Sequence, residues 1–303
     1  MEFRAEGLHY KWGYTGSQEK TEITAESLAV WRDNKWIMLV TRSNGDIHFE
    51  EKKLPKLPGN SSCLYLLKEE EQIAPAHQGF ERLIRRNFFG SELESACGFG
   101  NIPSSMMRME KKQLLEVLGS LELPLNVRLS LLKSKAEPLF RQIVDIYKSI
   151  FPAVENIDIS DASEMVAIPG RVPVLTFKER NVAQPYMLND LSSGMQKVLL
   201  IITDVLLARK QTVLMIDEYE NSLGVNAIDF FPDLIADYGD ELQFFVTSHH
   251  PYLINNMPIS TWQVFHREGS EVTVRSGNVL TEMYGESSQQ AFIKLINDPF
   301  YRG

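Results

Sequence analysis

Cysteine is almost missing from this 303-residue sequence: only Cys63 and Cys97 occur, in unlike surroundings. That excludes a disulfide framework and any cysteine-rich metal pattern, and two free thiols suit a reducing compartment. Long apolar runs are missing too. The longest, Val198 to Leu207, is interrupted by Thr203 and Asp204 and is too short to span a bilayer. The N-terminal MEFRAEGLHYKW lacks the apolar core of a secretory signal, so the expectation is a cytoplasmic protein with no membrane partner. Positive charge is in deficit. The net charge of −9 excludes a surface given over wholly to nucleic acid, and it leaves DNA as a partner without support from charge. A local basic strip, for instance around Arg82, Arg85 and Arg86, reads as a solvated helix face.

What is present falls into three stretches. Residues 1–103 begin with β-rich, partly alternating segments, and Asn44-Gly45 between two strand-like runs predicts a hairpin. CLYLLKEE and GFERLIRRNFFG follow as candidate short helices. Residues 104–152 become helical, with apolar residues at helical spacing in SSMMRMEKKQLLEVLGSLEL and EPLFRQIVDIYKSIF, and with breaks at Pro124 and Pro138. Their apolar residues read as core. Residues 153–303 return to strands: NIDISD, EMVAIPG and VPVLTFKE. A helix from about Ser193 to Arg209 leads to the apolar strand TVLMI ending at Asp217. A helix from about Asn226 to Asp237 and a second apolar strand, LQFFVTS, come next. Strand, helix, strand with continuous apolar strands predicts a parallel sheet covered on both faces. A terminal hairpin and a last helix close the chain.

Three places carry chemistry. The run VLMIDEYE ends a strand on two carboxylates, where parallel α/β sheets bind ligands. There Asp217 would help hold Mg²⁺ through a coordinated water, and Glu218 would polarise the water attacking a γ-phosphate. The run LNDLSSGMQK places Ser192, Ser193 and Gly194 at the start of a nearly all-apolar helix, whose free N–H groups suit an anion. FFVTSHHP puts His249 at the end of the second strand, within reach of a γ-phosphate. Each alone has a plainer reading: a solvated acidic turn, an ordinary serine N-cap, a satisfied structural histidine.

Their order and spacing together resemble the ABC-type ATPases, most closely the soluble branch akin to SMC, recombination-repair and OLD-family ATPases. That resemblance implies an α/β fold: an ABC-type lobe with a parallel sheet flanked by helices, an N-terminal antiparallel β part and a helical insert. It implies that LSSGMQK is the ABC signature, VLMIDE Walker B, YENSLG the D-loop and TSHHP the switch-histidine loop. On the same ground the cofactors are ATP and Mg²⁺, Glu218 and His249 are catalytic and Asp217 is the metal residue. Ser192, Ser193 and Gly194 would contact a partner's nucleotide, and Asn221, Ser222 and Leu223 would communicate across a dimer interface. Proteins of this kind often serve DNA-related tasks or anti-phage defence beside an effector such as a nuclease.

The resemblance has a gap. No G-x-x-x-x-G-K-S/T phosphate loop occurs in the 303 residues. The nearest lookalike, GYTGSQEKT from Gly13 to Thr21, has Gly16, Lys20 and Thr21. Glu19, however, stands where glycine is required, and the segment reads as a turn between strands. The expectation is the C-terminal portion of a longer protein, since MEFRAEG resembles the strand that follows the phosphate-loop helix in such proteins. A split ATPase, with the loop on a partner polypeptide, and a catalytically degenerate regulatory or interaction module are the alternatives, and a homodimer or such a split partner is the expected assembly. Outside this superfamily, a metal-dependent nuclease or phosphatase would use Asp217, Glu218, Glu220 and His249 as ligands.

Overall fold

The computed structural model describes residues 1–17, 21–87, 91–119, 123–162 and 171–302. The chain divides into two compact units, Met1–Ile84 and Arg85–Gly303. The first is built on an antiparallel meander: β1 Glu2–Ala5, β2 Leu8–Ser17, β3 Glu22–Arg32, β4 Lys35–Ser43, β5 Asp46–Phe49 and β6 Lys52–Lys53, with each strand beside its sequence neighbour. The helices α1 Cys63–Leu66 and α2 Ala74–Glu81 follow. Asn44-Gly45 does turn a hairpin, with φ of 48° and 86°. Three further two-residue turns, Glu6-Gly7, Asp33-Asn34 and Glu50-Glu51, have positive φ at both positions. These turns twist in the sense the strands require. Their residues are not the usual asparagine–glycine pair, so pattern reading passes over them.

The flanks of GYTGSQEKT pair as a hairpin, with Gly16 opposite Ile23 and Ser17 opposite Glu22, while Glu19 and Lys20 lie outside the described residues. The helix expected over GFERLIRRNFFG ends at Glu81, and β7 Leu83–Asn87 takes over. Arg85 and Arg86 are therefore on a strand, and Arg86 is buried rather than solvated.

Beyond β7 the second unit continues with α3 Ser91–Cys97, α4 Ser104–Met107, α5 Lys111–Leu118, α6 Leu125–Lys135 and α7 Glu137–Ile150. Pro124 precedes α6 and Pro138 lies in the first turn of α7, where a missing N–H costs nothing. An antiparallel sheet of β8 Val154–Asp161, β9 Pro173–Glu179 and β10 Tyr186–Met187 comes next. EMVAIPG lies outside the described residues. After α8 Ser193–Leu207 the chain runs through β11 Val213–Asp217, α9 Val225–Ile228, α10 Phe230–Tyr238, β12 Gln243–Val246 and α11 Pro251–Asn256. It ends with the hairpin β13 Gln263–Glu268 and β14 Glu271–Ser276, then α12 Gly277–Tyr284, α13 Ser288–Ile296 and α14 Pro299–Arg302.

One core joins the helices to the antiparallel sheet. Leu114, Leu118, Leu125, Ile143 and Tyr147 pack in the same cluster as Phe177, Val198, Leu199 and Ile202. The helical stretch is thus core, and α8 is buried on almost every side, as its nearly unbroken apolar sequence demands. The central sheet has the order β12, β11, β7, with β11 and β12 parallel. Its cover differs from the expectation. Leu214 and Ile216 are buried and Phe244 packs edge-on to Phe231 of α10, but the other face exposes Met215 (39%) and Phe245 (51%), which are cross-strand partners. Among the described residues, no helix is long and apolar enough to cross a membrane.

Candidate functional site

The parallel pairing of β11 with β12 brings their two C-terminal ends together, and the ladder continues past the strands. The Thr247 amide donates to Ile216 O (3.0 Å) and the Tyr219 amide donates to Thr247 O (3.1 Å). Between them the Thr247 hydroxyl donates to the Asp217 carboxylate and accepts from the Glu218 amide (2.8 Å). Glu218 sits at φ 44°, in the left-handed region that costs an ordinary residue about 1 kcal/mol or more. The strand therefore stops at Asp217, and its two carboxylates do not alternate across a regular strand. Tight turns follow: the Asn221 amide donates to Glu218 O (3.0 Å) and the Leu223 amide to Glu220 O (3.1 Å), with Ser222 at φ 64°. Tyr219 roots this loop. It is 1% exposed, its hydroxyl donates to Ala227 O (2.6 Å), and its ring stacks on Phe231 at 4.1 Å.

The start of α8 lies against the same loop. Ser192 is its N-cap and accepts from the Met195 amide at 3.3 Å, while Ser192 and Ser193 are both exposed. Gly194 is buried so closely under Ser222 that a Cβ there would stand 2.2 Å from the Ser222 carbonyl oxygen. Only glycine permits that approach. Lys197, one turn further along the helix, is 1% exposed. Its ammonium donates to Glu218 O (3.1 Å) and Asn221 O (3.2 Å) and lies over the Tyr219 ring. Burial pushes the Lys197 amine down to about 8, although Glu220 and Glu218 oppose the shift.

The histidine loop is tied to Glu220. The His249 amide donates to Glu220 Oε1 at 2.5 Å, the Ser248 hydroxyl adds a bond, and the His249 side chain is exposed. Burial alone would push the Glu220 carboxyl up; the amides of His249 and of Glu220 itself, with Ser248, outweigh it and hold the carboxyl below its ordinary value. His250 instead caps α11, with Nδ1 accepting from the Tyr252 amide at 3.3 Å.

The structure therefore gathers Asp217, Glu218, Gly194 and Asn221 to Leu223 around one loop, with Ser192 and Ser193 at its rim and His249 on the adjoining loop. Among the described residues, no three histidine, cysteine, aspartate or glutamate side chains converge on a point, so Asp217, Glu218, Glu220 and His249 do not form the ligand cage of the nuclease alternative. One exposed carboxylate beside a hydroxyl, Asp217 with Thr247, does fit Mg²⁺, which keeps most of its waters and needs few protein ligands. Sequence reading missed Lys197, Glu220 as an anchor, and Thr247. Of these only Lys197 had a visible signal: a lysine three residues after Gly194, on the same face of a nearly all-apolar helix.

Residues 110–255 match the family model described as "AAA domain, putative AbiEii toxin, Type IV TA system". No curated protein compared with the chain matches it. Among solved structures, an Smc head bound to the C-winged helix domain of ScpA is 8% identical, over 89% of this chain and 74% of that one, with a TM-score of 0.48. The Smc head with an extended coiled coil from Pyrococcus furiosus, bound to the C-terminal domain of ScpA, is 9% identical over 96% of this chain and 80% of that one, with a TM-score of 0.42. The SMC head domain from Thermotoga maritima is 9% identical over 90% and 77%, at 0.36. The segment matched by the AAA-domain model, just under half of the chain, holds the serine–glycine helix start, the carboxylate strand and the histidine loop.

Proposed function

We propose that this chain supplies the signature, Walker B, D-loop and switch-histidine parts of an ATP-hydrolysing site, and that the phosphate loop comes from a segment or partner outside these 303 residues. The observation that carries the reading is the single loop on which Asp217, Glu218 and Ser222 meet the α8 start, held by Thr247 and by the contact of Gly194 with Ser222. In this reading Asp217 would help hold Mg²⁺ through a coordinated water, and Glu218 takes a proton from the attacking water. His249 senses the γ-phosphate, and the exposed Ser192 and Ser193 hydroxyls with Gly194 meet the nucleotide held by a facing subunit. Bound Mg²⁺ would neutralise charge on the phosphates. ATP-driven closure of a dimer would then be coupled to an effector in a DNA-related or anti-phage task; the matched family is described as a putative toxin of a type IV TA system.

The open sheet supports an outside source for the phosphate loop. Parallel sheets are ordinarily covered on both faces, yet Met215 and Phe245 are exposed and β12 ends the sheet among the described residues. Calorimetric titration of the purified chain with Mg-ATP tests this, with Asp217→Asn as control. The expected result is no binding by the chain alone. Binding that Asp217→Asn abolishes would mean that the chain grips phosphate by itself. In any preparation that does turn over ATP, Glu218→Gln should lower kcat about 10²–10⁴-fold, the range for a lost general base. An unchanged kcat would remove Glu218 from the mechanism.

A further inference from the structure

We infer that Lys197 and Glu220 are positioning residues that join the three parts of the site, so that a shift at the α8 start is carried to Glu218 and on to His249. The inference rests on the reading of these loops as an ATPase site. Lys197 belongs to α8, yet its ammonium holds the backbone carbonyls of Glu218 and Asn221, at the two ends of the turn that carries the carboxylates. Glu220 leaves that same turn and holds the amide of His249, with Ser248 as a second contact. The chain of contacts therefore runs from α8 through a lysine to one loop, and from that loop through a glutamate to the next. A second contact between α8 and the carboxylate loop is the close approach of Gly194 to Ser222. A buried ammonium on two carbonyls resists being pulled away, because leaving it unpaired costs far more than an exposed pair would. The charged and titratable groups facing Lys197 are the Glu218 and Glu220 carboxylates and the Tyr219 phenol.

The test needs no nucleotide. Backbone ¹⁵N spectra of the whole chain are followed from pH 6 to 10 for wild type, Lys197→Met, Glu220→Gln and Glu220→Ala, each first checked for cooperative thermal unfolding. In wild type the amides of Asn221 and His249 should share an inflection near pH 8, the value to which burial pushes the Lys197 amine down. Lys197→Met should erase it at both, although His249 is not a neighbour of Lys197 in sequence. Glu220→Ala should erase it at His249 alone and raise hydrogen exchange of that amide at least tenfold, whereas Glu220→Gln, which keeps an acceptor oxygen, should restore protection. An inflection at His249 that survives Lys197→Met, or normal protection in Glu220→Ala, would overturn the inference. If Lys197→Met does not fold, the two Glu220 variants still decide the second link. A chain that shows the shared inflection but never turns over ATP in any preparation would refute the proposed function and leave the tie standing.

Discussion

At the scale of single residues, the largest energies sit on charges taken out of water. Asp204, inside α8, is 1% exposed and meets Arg86 (Nε at 2.7 Å, Nη2 at 3.2 Å) and Arg128 (Nη1 at 2.7 Å). Burial pushes its carboxyl up, but the Arg128 and Arg86 guanidiniums outweigh burial and hold it below the ordinary carboxylate range. Asp204→Asn would leave two buried guanidiniums without their counter-charge, so a loss of about 3–5 kcal/mol is expected from urea unfolding. Because the folded-state value is depressed, this contribution is present above the unfolded carboxylate value and is lost as pH falls through the folded one. The gap between wild type and variant should therefore narrow on acidification; a gap constant down to pH 2 would contradict the pairing. In the sequence Asp204 appears only as an interruption of an apolar run. Its partners lie 118 and 76 residues away, and no local pattern encodes a separation of that size.

Individual elements were more legible. The periodicity of α7, the apolar run of α8 and the Asn44-Gly45 turn each have a local cause, and each forms where the pattern places it. The packing of one element on another is less so. The α8 start reads as a serine cap, but that Gly194 lies beneath the Ser222 carbonyl follows only from the way α8 crosses the loop after β11. Gly194→Ala should push that loop away, with an expected loss of about 1–3 kcal/mol in thermal unfolding and faster exchange over residues 219–224. Gly224→Ala is the matched control, since a Cβ there meets nothing within 4 Å. Equal losses in both variants would deny the close approach its importance. The helix expected over Arg85 and Arg86 was misplaced for a related reason. Leu83–Asn87 joins the central sheet, and sheet pairing overrides a short local propensity.

For the whole molecule, each of the two units has a core of its own. In Met1–Ile84 that core is formed by Tyr10, Leu28, Val30, Leu39, Val40, Ile47 and Ile73. Glu26 adds a buried carboxylate that accepts from Trp12 Nε1 (3.0 Å) and the Cys63 amide (2.7 Å), and so pins the start of α1 to the sheet. Residues 1–84 expressed alone should therefore give a β-type circular dichroism spectrum and a cooperative melt; a non-cooperative melt would show that this core does not suffice. The second unit leaves Met215 and Phe245 uncovered on its central sheet, which is the feature the sequence pattern described least well. An apolar run states that a strand tolerates burial on both faces, and it does not state what is there to cover it.

By itself the sequence determined the identity and the order of the chemical groups. Serine–glycine helix start, carboxylate strand end and histidine strand end are local patterns, and their order along the chain carries the resemblance to ABC-type ATPases. The tertiary structure decided what those groups touch. Thr247 reaching Asp217 and Glu218, Lys197 holding the Glu218–Asn221 turn, Glu220 holding His249 and two arginines surrounding Asp204 are all contacts between residues far apart in sequence. Local patterns follow from the steric and hydrogen-bonding preferences of neighbouring residues. These contacts arise only when burial brings distant elements together and every polar group carried inside must find a partner.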